Sequence, residues 1–96
     1  MDIVEFQQRI AERYGDADRE RGVPATIAWL TEELGELAQA VRKGTLDDQE
    51  RELGDVLAWL ASLADQIGLS LDEAALRMLA GERPPTPPGG NPSPER

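Results

Sequence analysis

Five carboxylates in two short motifs are the residues of this chain best placed to do chemistry: Glu32, Glu33 and Glu36 in TEELGEL, and Glu52 and Asp55 in ERELGDVL. Residues three or four apart share one side of a helix, so each motif aims its acids into one volume. Packing the two helices together would gather all of them. Carboxylates at such density repel one another and call for a cation. Hard divalent ions take oxygen ligands, and Mg²⁺ is commonly held by a few carboxylates, retained waters and phosphate oxygens. The expected chemistry is therefore that of a divalent metal acting on a phosphorylated ligand.

A single EExxE run in a chain that is 30% charged is more often a solvated helix face, since Glu is also a good helix former. The second motif changes the balance. Neither cluster has Lys or Arg at the i+3 or i+4 positions that would normally pair its acids, and Arg42 and Arg51 are poorly phased for the task.

Four helices must position these groups. The first opens at Asp2 as N-cap, carries Ile3, Phe6, Ile10 and Tyr14, and ends at Gly15. The charged segment Asp16 to Pro24 is expected to be a connecting loop whose start could extend that helix. The second helix runs from about Ala25 to Lys43, with Ile27, Leu30, Leu34, Leu37 and Val41 as its apolar stripe and Gly44 just past its end. The third starts at Asp47 or Asp48 and reaches Ile67, its stripe being Leu53, Val56, Leu57, Leu60, Ala64 and Ile67. The fourth has Ser70 as N-cap with Glu73 three residues on, presents Leu71, Ala74, Ala75, Met78 and Leu79, and stops before Gly81. The fold class is all-α, a four-helix bundle in which helices two and three are antiparallel neighbours.

At roughly 100° per residue, Glu33 falls about 60° and Glu36 about 120° from Leu30, on the side of Trp29 and Ala40. Glu52 and Trp59 lie roughly 100–120° from Leu53, with Asp55 a little further round and Gln66 on the same flank. Each helix thus carries acids and one Trp at the border of its apolar stripe. Glu32 points further outward, and Glu50 and Arg51 fall at solvated positions. A Trp is more often a core or interface anchor than a platform for a base, yet Trp29 and Trp59 flank the acids and are candidate stacking residues, with Phe6 and Ile10 as candidate cover.

Composition narrows the options. The chain has 96 residues, and residues 82–96 hold six of its seven prolines, which reads as a disordered tail after a domain spanning 1–81. That domain has a thin core, so self-association is expected. Without Cys or His, disulfides, thiolate or zinc-finger sites and His-based general-base catalysis are excluded. A net charge of −9 argues against nucleic acid as a partner but not against a small phosphorylated ligand, because bound metal reverses the local field. No apolar run approaches the roughly 20 residues of a membrane span, and MDIVEFQQRI lacks a basic signal-peptide region, so a soluble cytoplasmic protein is expected.

The stretch EELGELAQAVRKG followed by ERELGDVLAWLASLADQIGLSLDEAALRML resembles the MazG-like nucleotide pyrophosphohydrolases, whose signature is EExxE, a spacer, then ExxD. The likeness covers roughly Ile27 to Leu79 and includes GDVL and the opening of the last helix. It implies an all-α fold assembled as a homodimer or homotetramer, Mg²⁺ dependence with Mn²⁺ as a substitute, and house-cleaning of nucleotide pools. The implied reaction is hydrolysis of a nucleoside triphosphate between the α- and β-phosphates. It further implies Glu33, Glu36, Glu52 and Asp55 as metal ligands, with Glu32 or Glu36 as candidate base for an attacking water. Where family members place an Asn or basic residue for phosphate, this chain offers Asp65, Gln66, Arg77 and Arg83, of which Arg77 is the candidate substrate contact. The related phosphoribosyl-ATP pyrophosphatases carry a Lys before EExxE and a His after the second acid pair, both missing here. The alternative class is a non-enzymatic acidic helical interaction module. A di-iron bundle would need Glu-x-x-His, and calcium storage a D-x-D-x-D-G loop; neither occurs.

Overall fold

A computed structural model describes residues 1–81; the expected disordered tail, 82–96, lies outside the described residues. The described chain contains four helices and no strand: α1 (Ile3–Arg21), α2 (Val23–Lys43), α3 (Leu46–Gln66) and α4 (Leu71–Leu79).

Asp2 caps α1 as expected, its Oδ1 accepting from the Glu5 N–H at 2.8 Å. The helix does not end at Gly15, however, and Asp16 to Arg21 form its last turns rather than a loop. A helical Gly costs about 1 kcal/mol relative to Ala. Local pairing favours continuing the helix nonetheless: Arg19 binds Asp16 at 2.8 Å and Arg21 binds Asp18 at 2.7 Å. Gly15 is itself buried, and a Cβ there would press on the Arg19 guanidinium at 3.3 Å. The actual break is Gly22, at φ 87°, a conformation only Gly takes without strain. Pro24 then sits in the first turn of α2, where its missing N–H is no loss.

Two residues, Gly44 and Thr45, join α2 to α3, which makes these helices antiparallel neighbours. At Gly44 the backbone is so close that a Cβ would stand 2.9 Å from the Ala40 carbonyl oxygen. Thr45, not Asp47 or Asp48, is the N-cap of α3. Its hydroxyl accepts from the Asp48 N–H at 3.1 Å while the Asp48 carboxylate accepts from the Thr45 N–H at 3.0 Å. Hydrogen bonds from the Thr45 backbone and hydroxyl hold the Asp48 carboxyl below its ordinary value. Ser70 caps α4 as expected, accepting from the Glu73 N–H at 3.2 Å. Gln7 of α1 clasps this corner: its amide donates to the Leu69 carbonyl at 2.8 Å and accepts from the Leu71 N–H at 2.9 Å.

Packing departs from the expected stripes. The buried positions of α2 and α3 are small: Thr26, Ala40, Ala61, Ser62 and Ala64. Thr26 donates to the Gly22 carbonyl at 2.9 Å and accepts from Gln66 at 2.8 Å, tying the start of α2 to the end of α3. Leu30, Leu37 and Val56 are half-buried, whereas Ile27, Leu34 and Val41 on α2 and Leu53, Leu60 and Ile67 on α3 are exposed. Small residues let the helices pack within one chain and leave the bulky positions, spaced seven apart, facing outward. No described helix is long and apolar enough to cross a membrane.

Candidate functional site

The acids of α2 and α3 meet across the hairpin. Carboxylate oxygens of Glu33, Glu36 and Glu52 all lie within 4.8 Å of one another. One oxygen each of Glu33 and Glu52, Oε2 in both, is buried with no hydrogen-bond partner. Buried polar atoms are nearly always partnered, so two orphaned carboxylate oxygens in one cluster suit a cation. The Glu33 carboxyl is pushed up to about 7, chiefly by burial and then by the charge of Glu36, a hydrogen bond with Glu36, and the charges of Asp55 and Glu52. Asp55 thus acts on the cluster electrostatically while its oxygens stand outside the group of three. Glu32 is exposed and also outside it.

Trp29 and Trp59 stack on each other, their ring centroids 6.1 Å apart and planes 17° from parallel. The Arg21 guanidinium lies over the Trp59 ring at 4.8 Å, a favourable cation–π position. Phe6 and Ile10 are half-buried on α1. Arg77 stands on α4, which packs against α1, and it lines neither of the depressions beside the acids.

Those two depressions differ in character. One, of about 270 Å³, lies between α1 and α3 and is lined by Tyr14, Asp18, Arg21, Asp55, Trp59 and Ser62, among others. The other, of about 450 Å³, follows the α2–α3 hairpin and is lined by Glu36, Glu52, Lys43 and Arg51, among others. Arg51, expected as a plain solvated residue, pairs with Asp48 at 3.1 Å and reaches within 3.8 Å of Glu52. The acids therefore sit between a partly aromatic hollow and a groove bearing two cations. Such an arrangement can hold a ligand with an aromatic end and a polyanionic end around a metal.

The model of the MazG nucleotide pyrophosphohydrolase domain matches residues 21–81. The chain belongs to this family. All the acids of the MazG cluster lie inside the matched span, whereas Tyr14 and Asp18 precede it. The domain is also similar to the uncharacterized protein YpjD of Bacillus subtilis strain 168, with 46% identity over 65 residues, covering 57% of this chain. The chain spans 59% of that relative's length.

Among the residues read from the MazG motifs, the fold brings Glu33, Glu36 and Glu52 together, with Asp55, Trp29 and Trp59 nearby. Tyr14, Asp18, Arg21, Lys43 and Ser62 were not anticipated as site residues. The signal for three of them was present: Ile10, Tyr14, Asp18 and Arg21 are spaced four, four and three, a helical stripe that continues past Gly15. Gly15, a helix breaker by type, masks it in the sequence.

Proposed function

We propose that this MazG domain is a Mg²⁺-dependent nucleoside triphosphate pyrophosphohydrolase, releasing a nucleoside monophosphate and pyrophosphate and so clearing the cytoplasmic nucleotide pool. The observation that carries this reading is the pair of orphaned, buried oxygens of Glu33 and Glu52 within the three-carboxylate cluster. Glu33, Glu36 and Glu52, with Asp55 at the rim, are the residues that would hold Mg²⁺ or Mn²⁺. The bound ion supplies neutralisation of charge on the phosphate oxygens and on the departing pyrophosphate.

The chain's own groups supply the rest. Glu36 or the exposed Glu32 orients a water toward the α-phosphorus and accepts its proton as the new P–O bond forms and the bridging P–O bond breaks. Lys43 and Arg51 receive the leaving pyrophosphate. Tyr14 and Trp59 wall the nucleoside end, with Trp29 steadying Trp59 through their stack. Arg77, on α4, is the further proposed substrate contact. The outward stripes on α2 and α3 support assembly as a homodimer or homotetramer, since each leaves exposed apolar residues at seven-residue spacing.

Screening canonical and modified nucleotides for pyrophosphate release with Mg²⁺ and Mn²⁺ tests the proposal. Glu36→Gln and Asp55→Asn are each expected to lose roughly 100-fold or more of the rate while helicity is retained. Wild-type turnover in either variant overturns the assignment of that residue. If neither ion stabilises the fold nor supports hydrolysis, the domain is an acidic interaction module instead.

A further inference from the structure

The hollow between α1 and α3 contains two polar groups that the proposed reaction does not use. Asp18 is 3% exposed and Ser62 is 4% exposed. Asp18 Oδ1 accepts from Arg21 at 2.7 Å, but Oδ2 is buried with no partner, and the Ser62 hydroxyl is also buried and unpartnered. Both residues line the hollow, one from each wall. A buried hydrogen-bonding group without a partner is destabilising, more so when it is charged, and the packing of the fold would be served as well by Ala at 62. Two such unpartnered groups belong to residues that line one cavity, and together they make a hydrogen-bonding edge for a ligand that enters it. Asp55 on the cavity's rim, through its charge on Glu33, places that edge next to the proposed phosphate chemistry.

We infer that Asp18 and Ser62 select the nucleobase, favouring one that carries an exocyclic amine; this rests on the nucleotide reading above. Asp18 Oδ2 can only accept while Arg21 holds its partner oxygen and neutralises the carboxylate. An amino N–H of cytosine or adenine satisfies it, and the Ser62 hydroxyl donates to the adjacent ring nitrogen. In the same pose uracil or thymine turns O4 toward Asp18 Oδ2 in place of the amine and N3–H toward Ser62 in place of the ring acceptor, so oxygen lone pairs meet the carboxylate. Tyr14 and Trp59 provide apolar walls for either base and cannot discriminate. The α1 half of this edge precedes the span matched by the family model, so it is a property of this chain's first helix rather than of the acid motifs.

Two measurements separate this inference from the reading on which it rests. Calorimetric titration with cytidine, adenosine and uridine monophosphates needs no turnover; pyrophosphate release from the corresponding triphosphates does. The wild-type protein should bind the cytidine or adenosine compound about ten-fold or more tightly than the uridine one, the range expected for a base-edge hydrogen-bonding pair. The isosteric Asp18→Asn can donate as well as accept, so it should erase or invert that ratio. Ser62→Ala should reduce the ratio without lowering the melting temperature, because it removes a buried unpartnered hydroxyl. Equal affinities in the wild type, or an unchanged ratio in both variants, overturns the inference even if every triphosphate is hydrolysed. Selective binding without any hydrolysis supports it and sinks the pyrophosphohydrolase assignment instead.

Discussion

At Glu33 a proton and the proposed divalent cation would contend for the same oxygens. Its carboxyl is raised from an ordinary 4.5 to about 7, first by burial and then by its acidic neighbours. A raised value in the folded state means that the protonated form is the better tolerated one. The stability contribution is intact below about 4.5 and is lost as pH rises through about 7. Without metal, the melting temperature should therefore fall across this window, and Glu33→Gln should flatten the fall. Excess Mg²⁺ should restore stability most strongly above pH 7, with a proton released on binding near neutrality. A metal-free melting curve that rises between pH 5 and 7, with Glu33→Gln unchanged from the wild type, would contradict the burial of this group. Asp48 has the opposite sign: its lowered value stabilises the fold above 3.8 and that support fades only as pH falls through the depressed value. At this scale the acids were legible because spacing alone puts them on one face. Asp18 and Ser62 were not, since nothing in a linear pattern tells a buried polar residue from a solvated one until the opposing wall is known.

Helix boundaries carry the next lesson. Ser70 and Asp2 were readable as caps because a short polar side chain precedes an apolar-periodic run. The start of α3 is harder to read because Thr45, Asp47 and Asp48 all qualify as caps by type, and only the reciprocal hydrogen bonds show that Thr45 caps while Asp48 answers it. Gly15 and Gly22 look alike as punctuation, yet only Gly22 adopts a positive φ. The difference makes a prediction about stability. Gly22→Ala should destabilise the domain by about 1–3 kcal/mol, since φ 87° with ψ 165° is a backbone region essentially reserved for Gly, and Thr45→Ala by about 1 kcal/mol through loss of the cap. Chemical denaturation of both variants checks these magnitudes. A neutral Gly22→Ala would mean that the α1–α2 junction is not built as described.

Across the described residues the four-helix, all-α architecture follows directly from periodicity, while the direction in which the apolar stripes face does not. A heptad-like stripe is satisfied equally by a neighbour within the chain or by another chain, and here Thr26, Ala40, Ala61 and Ala64 fill the intramolecular positions instead. If the exposed stripes are covered by a second copy, Leu34→Glu or Leu53→Glu should shift the molecule to monomer in sedimentation equilibrium and make the wild-type melting temperature concentration-dependent by contrast. A monomeric wild type at high concentration would reject the assembly proposed above. The short Gly44–Thr45 connection also has a kinetic side. Closing this hairpin is a local event, with little loop entropy opposing it, but closure drives Glu33 and Glu36 onto Glu52. If closure of this hairpin belongs to the folding nucleus, charge repulsion falls on that step and Mg²⁺ should accelerate refolding as well as slow unfolding. Stopped-flow chevrons with and without the ion would then separate on both limbs.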